Sequence, residues 1–106
     1  MDKAEAQIRD ADEASRVLNS PSFAQAFEDM RAVYVAALEQ IPTTADGDDQ
    51  AKDVRRKLAV LADIRTALIR RIDTGKLVRH ELSMLEKAKN GARRFAKTLS
   101  NATGAR

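Results

Sequence analysis

Apolar side chains recur at alternating spacings of four and three residues in the second quarter of this chain. The run begins directly after Ser20-Pro21 and ends directly before Pro42. Its members are Phe23, Phe27, Met30, Tyr34, Ala37 and Ile41. This spacing lines one face of an α-helix, serine and proline favour a helix start, and an interior proline ends one. We therefore expect a helix over residues 21–41, roughly 30 Å long.

A second apolar stripe follows at the same period and predicts a helix over residues 51–74, with Gly75 as its left-handed cap. The stripe consists of Val54, Leu58, Leu61, Ile64, Leu68 and Ile72. Residues 42–50 between the stripes are polar and predict a loop. This loop does not fit calcium, because the twelfth position from Asp46 is Lys57 where a glutamate is required. Two helices of similar length joined by a short loop indicate an antiparallel helical hairpin.

Two flanking segments complete an all-α prediction. Residues 2–18 carry a weak, alanine-rich stripe, which indicates a helix that is frayed or dependent on a partner. Residues 76–99 form a fourth helical segment, which we expect Asn90-Gly91 to weaken or break. Residues 100–106 are expected to be disordered. The chain thus divides into an acidic N-terminal helix (1–19), a hairpin core (20–75) and a basic C-terminal helix with its tail (76–106).

The small size of this chain predicts a homo-oligomer. With 106 residues, no cysteine and no metal site, a hairpin buries too little apolar surface to be stable alone. The residues expected to form the core and the contact between copies are the two stripes given above. A monomeric four-helix bundle that buries all of these faces internally is the alternative.

The formal net charge of +3 conceals a strong polarity along the chain. Residues 1–50 hold four basic and eleven acidic side chains, a net charge of −7. Residues 51–75 carry +4, and residues 76–106 carry +6. Such asymmetry indicates that the C-terminal end meets a polyanion or an acidic partner. Helix solubility and head-to-tail attraction between copies explain it equally well.

Basic side chains concentrate near the C-terminus, where they are candidates for binding DNA or a partner. They are Lys87, Lys89, Arg93, Arg94, Lys97 and Arg106. On a helix, Lys89, Arg93 and Lys97 share one face, a pattern that can neutralise phosphates without reading bases. A smaller basic group lies at residues 55–57. The alternative is a solvated helix end without a partner.

The sequence does not favour an enzyme. It has no cysteine nucleophile, its four glycines are isolated, and its only histidine, His80, has no partner at a catalytic spacing. We expect neither a cofactor nor a metal ion. No apolar run indicates a signal peptide or a membrane segment, and the absence of cysteine is typical of the cytoplasm.

The order of segments resembles the short head-gene proteins of tailed phages and gene transfer agents, and among them the small terminase subunit. The resemblance covers residues 10–80: a short helix, the segment NSPSF, the helix FAQAFEDMRAVYVAALEQI, an acidic loop and the helix VRRKLAVLADIRTALIRRIDTGKL. It implies a ring assembled through a helical hairpin, which holds DNA and recruits a large terminase motor.

This chain departs from the family pattern because it has no evident N-terminal helix-turn-helix, which favours non-specific DNA binding. Two other hypotheses stay open. One is a helical structural or scaffold protein of a virion, and the other is a small regulatory partner of a nucleic-acid enzyme.

Overall fold

Three helices make up the part of the protein that the computed structural model describes, residues 2–103, with side chains for residues 2–101. They are α1 (Lys3–Leu18), α2 (Pro21–Gln40) and α3 (Ala45–Thr103). No strand occurs in this part of the chain. The all-α prediction is therefore confirmed, whereas the four expected segments are in fact three helices.

The first two helices begin where the sequence predicts. Asp2 Oδ1 accepts a hydrogen bond from the Glu5 backbone N–H at 2.8 Å, and Ser20 Oγ accepts one from the Phe23 N–H at 3.4 Å. Each side chain thus satisfies a backbone donor that the first turn of the helix leaves unpaired. Pro21 occupies the first position of α2, where no backbone donor is needed.

The start of α3 corrects the expected loop over residues 42–50. Thr44 Oγ1 accepts a hydrogen bond from the Gly47 N–H at 3.0 Å, so α3 begins at Ala45, six residues earlier than predicted. Asp46 and Asp48 lie in the first turn, where carboxylates complement the helix dipole. Residues 45–48, which were expected in a loop, are therefore the N-terminal turn of a helix.

The helix α3 continues through every point at which the sequence predicted an end. Gly75 is not a left-handed cap, because no described glycine has a positive φ. Asn90-Gly91 does not break the helix, and residues 100–103 are helical rather than disordered. A helical glycine costs about 1 kcal/mol relative to alanine. Neighbouring lysine, leucine, alanine and arginine residues, which are good helix formers, offset this cost.

The close approach of α1 to α3 corrects the expectation of a weakly packed N-terminal helix. The buried apolar residues are Ala11 and Ala14 on α1 and Val78 on α3. A methyl group added at Gly75 would overlap the Ala11 Cβ. Small side chains on both helices thus let the backbones lie close together, and the alanine-rich stripe is itself the packed face.

The helix α2 lies along the first part of α3. Phe27 and Val35 line a surface groove of about 430 Å³ together with Leu58, Leu61 and Ile69. Ile41, at the end of α2, lies beside Val54, near the start of α3. The end of α2 therefore lies close to the start of α3.

The described chain is a rod rather than a globule. Its dimensions are 91 × 27 × 22 Å and its radius of gyration is 25.3 Å, about twice that of a compact domain of this length. This shape follows from α3, whose 59 residues span nearly 90 Å at 1.5 Å per residue. The two shorter helices cover only part of that length.

The two α3 glycines provide a test of this packing. We expect Gly75→Leu to lower the free energy of unfolding by about 1–3 kcal/mol, because the new side chain overlaps α1. Gly91→Leu is the matched control. Open space surrounds Gly91, so this change should raise stability by up to about 1 kcal/mol. Urea unfolding followed by circular dichroism measures both, and equal effects at the two positions would contradict the close α1–α3 contact.

Candidate nucleic-acid interface

The C-terminal part of α3 extends beyond the other two helices. Val78 is the last buried residue of α3, and every side chain at positions 79–101 is exposed. We call residues 80–103 the projecting half of α3. It is about 35 Å long and consists of a single helix without a break.

Five basic side chains share one side of the projecting half, which we call the basic face. At 100° per residue they fall within an arc of about 160°, and they extend over about 15 Å of helix. They are Lys87, Lys89, Arg93, Arg94 and Lys97, all of them exposed. The structure thus brings these five predicted residues together. Arg106, the sixth, lies outside the described residues.

None of these five side chains forms an ion pair with another described residue. The two ion pairs of the described chain are Lys57–Asp53 and Arg79–Asp12. Glu86 is the one acidic residue on the polar side of the projecting half. The basic face therefore presents a largely uncompensated positive charge to solvent, and such a surface attracts phosphate groups.

The acidic helix α1 lies against a basic stretch of α3 within the same chain. The Arg79 guanidinium donates hydrogen bonds to both carboxylate oxygens of Asp12, at 2.7 and 2.9 Å. Asp10 lies beside Arg70 and Arg71 in a shallow surface depression. Some acidic side chains of α1 thus already lie beside basic side chains of α3 in the same chain. The positive charge of the basic face is not compensated in this way.

The smaller basic group at residues 55–57 lies elsewhere on α3, among the contacts with α2. All three of its side chains are exposed. Lys57 Nζ lies 3.2 Å from Asp53 Oδ2, so one of the three charges is already paired. Residue 57 and the nearest member of the basic face, Lys87, are 30 positions apart, which corresponds to about 45 Å of helix. The two groups form separate surfaces.

Most of the predicted hairpin stripe lies at the contact of α2 and α1 with α3. Ten of its members are half-buried in the single chain: Phe23, Phe27, Tyr34, Ala37, Ile41, Val54, Leu58, Leu61, Leu68 and Ile72. Met30 and Ile64 are exposed. Val33, one turn after Met30, and Val60, one turn before Ile64, are exposed as well. The stripe therefore packs partly within the chain and leaves one edge open.

The projecting half also has an apolar face. Leu82, Met84, Leu85 and Phe95 are all exposed. By helical position Met84, Leu85 and Phe95 lie across from the basic face, whereas Leu82 lies at an angle between those of Lys89 and Arg93. The sequence signal was present in the spacing of these residues, but only the structure shows that α1 and α2 leave them exposed.

Other kinds of site find little support in the described residues. His80 is exposed on the surface of α3. No group of three or more histidine or carboxylate side chains in residues 2–101 is placed to hold a metal ion. None of the described helices combines the length and apolar character required to cross a membrane.

Comparisons with protein families, with curated proteins and with solved structures found no match to this chain.

The ion pair between α1 and α3 can be tested by a double-mutant cycle. Both side chains are about half exposed, so solvent screens their attraction. We expect Asp12→Ala and Arg79→Ala to show a coupling free energy below about 1 kcal/mol, which decreases as salt is added. Thermal unfolding at low and high ionic strength gives this value. A larger coupling that does not depend on salt would show that the pair is shielded from water.

Proposed function

We propose that this protein is a non-catalytic DNA-packaging adaptor of the small terminase kind. It assembles as a homo-oligomer, binds DNA weakly and without sequence preference, and recruits a large terminase-like motor protein. The single observation that carries the proposal is the basic face. It places five positive side chains, none of them paired within the described chain, on a helix that projects from the rest of the molecule.

The geometry of the basic face favours contact with phosphates over recognition of bases. Its members are lysine and arginine on a straight helix, and Phe95, the one aromatic side chain nearby, lies across the helix from them. Base stacking on this face therefore has no aromatic partner. Phosphate contacts orient a protein on DNA but carry no sequence information, which suits a packaging adaptor that accepts any sequence.

The proposed oligomer follows from how little of the chain is buried. Only Ala11, Ala14 and Val78 are buried apolar residues among those described, whereas many large apolar side chains are exposed. A chain with so small a core usually gains stability from association. We propose that α2 and the first part of α3 act as a helical hairpin in this assembly, with Met30 and Ile64 at its open edge.

Assembly also compensates for weak binding by a single chain. Five phosphate contacts give modest affinity, but several copies held together bind the same DNA with avidity. Recruitment of the motor protein rests on the resemblance alone. The proposed cytoplasmic location rests on the absence of cysteine from the sequence. A structural or scaffold protein of a virion is the second candidate, favoured by the exposed apolar surface, and it would assemble without binding DNA.

Removal of the central basic charges tests the DNA contact. We expect Arg93→Ala, Arg94→Ala and Lys97→Ala together to reduce the number of phosphate contacts from about five to about two. The slope of log K against log salt should then fall from about −4.5 to about −1.8. Gel shifts with one duplex at several salt concentrations between about 50 and 200 mM measure this slope.

The control variant carries Lys52→Ala, Arg55→Ala and Arg56→Ala, which removes the same charge from exposed positions on the first part of α3. We expect its salt dependence to stay close to that of the wild type. If both triple variants lose affinity equally, the affinity for DNA depends on net charge alone and the basic face is not the binding surface. If the wild type assembles but binds no DNA, the scaffold hypothesis replaces the adaptor.

A further inference from the structure

The basic face covers a wide arc of the helix. At 100° per residue, Lys89 and Lys87 lie about 160° apart at its two edges, and Lys97 lies at its centre. Arg93 falls between Lys89 and the centre, and Arg94 falls between Lys87 and the centre. Positive charge therefore points to both sides of the projecting half as well as straight out from it.

The centre of this arc is not purely basic. Glu86 and Asn90 lie within about 20° of the centre, on either side of Lys97. If the middle of the basic face rested on a row of phosphates, the Glu86 carboxylate would point at them, which is unfavourable. The partner that fits this pattern presents anions to the two edges of the face and uncharged hydrogen-bonding groups to its centre.

The projecting half is exposed on all of its sides. Every side chain at positions 79–101 is exposed, and the helix continues without a break to Thr103. A helix that is packed in a bundle offers a partner only one face. A bare helix, which is about 10–12 Å across with its side chains, can instead enter a cleft of its own width.

The major groove of B-form DNA combines these features. It is about 12 Å wide and about 8.5 Å deep, and it admits an α-helix. Phosphates of the two strands line its two sides, and the base edges at its floor are hydrogen-bond donors and acceptors without formal charge. A glutamate can accept a hydrogen bond from cytosine there, and an asparagine can pair with adenine. Both central side chains of the basic face therefore find partners at the floor of this groove.

We infer that the projecting half of α3 enters the major groove of double-stranded DNA. Lys89 and Arg93 contact phosphates of one strand, and Lys87 and Arg94 contact phosphates of the other. This inference rests on the proposed function and specifies the form of nucleic acid and the groove that the basic face binds. Phosphate contacts supply most of the affinity, and two central polar side chains are too few for strong sequence preference.

A duplex with a filled major groove tests the inference directly. Glucose attached to cytosine through a C5-hydroxymethyl group occupies the major groove, because C5 of a pyrimidine lies there, and leaves the phosphate charge unchanged. Gel shifts with the full chain should show at least about ten-fold lower affinity for this duplex than for the unmodified one. A duplex with 5-methylcytosine is the matched control and should bind like the unmodified one, since a methyl group leaves the groove open.

An RNA duplex of the same sequence is the second probe. Its phosphates carry the same charge, but the major groove of A-form RNA is deep and too narrow for side chains to read. We expect at least about ten-fold weaker binding to the RNA duplex than to the DNA duplex at the same salt concentration. Equal affinity for unmodified DNA, glucosylated DNA and RNA would show that the helix rests on the outside of the backbone. Tighter binding to single-stranded DNA than to the duplex would also overturn the inference.

Variants at the edges of the basic face give an independent test. Lys87→Ala together with Lys89→Ala should reduce the slope of log K against log salt by about 1.8, because each lysine contacts one strand in the groove. Adding Ala88→Lys and Ala92→Lys restores the net charge on the opposite, exposed side of the helix and should not restore the slope. Circular dichroism checks that all variants stay helical. An unchanged slope in the double variant, or a slope restored by the added lysines, would contradict groove entry.

Failure of this inference and failure of the proposed function give different results. If the triple alanine variant of Arg93, Arg94 and Lys97 loses affinity but glucosylated DNA binds as tightly as unmodified DNA, groove entry is wrong and the adaptor function stands. If the wild type binds none of the nucleic acids, both are wrong.

Discussion

The unbroken hydrogen-bond ladder of α3 is the constraint on which the rest of this structure depends. An isolated helix pays a nucleation cost that short segments in water meet poorly. In α3 that cost is met where α1 and α2 pack, and each later residue adds one backbone hydrogen bond at little further cost. The helix can therefore extend past Arg79 although every described side chain beyond that residue is exposed and only three apolar residues are buried in the described part of the chain.

Packing around α3 relies on small side chains more than on large ones. Ala11 and Gly75 allow α1 to approach α3 closely, and the Asp12–Arg79 ion pair adds a directional but solvent-screened contact. Close approach increases the number of dispersion contacts between the backbones, which compensates in part for the small apolar area that alanine buries. Part of the charge polarity of the sequence thus forms contacts between helices of one chain. The basic face is the part that stays exposed to solvent.

Local signals predicted part of this fold correctly. Ser20-Pro21 marked the start of α2, and the spacing of apolar residues marked its packed face. The start of α3 was missed because Thr44 lies among loop-forming residues, and its capping hydrogen bond to Gly47 becomes visible only in the structure. Gly75 was misread for a different reason. In a sequence, a glycine that ends a helix cannot be distinguished from a glycine that lets a second helix pack closely. The distinction requires the packing partner, here Ala11, to be known.

The basic residues of the candidate site were all predictable from their spacing, because i, i+4 relationships hold on any helix. The exposure of these residues was not predictable, since it depends on how far α1 and α2 reach along α3. The exposure of the opposite apolar face was not predictable for the same reason: periodicity shows which residues share a face but not whether another element covers it.

Because α3 is one continuous helix, it also sets the rotational phase between its two ends. Removing a single residue between Val78 and Lys87 would turn the basic face by about 100° relative to α1 and draw it back by 1.5 Å. Removing seven residues would restore the direction to within about 20° while shortening the helix by about 10 Å. The length of α3 is thus free to vary in steps of whole heptads, whereas single insertions or deletions would point the same charges at a different neighbour.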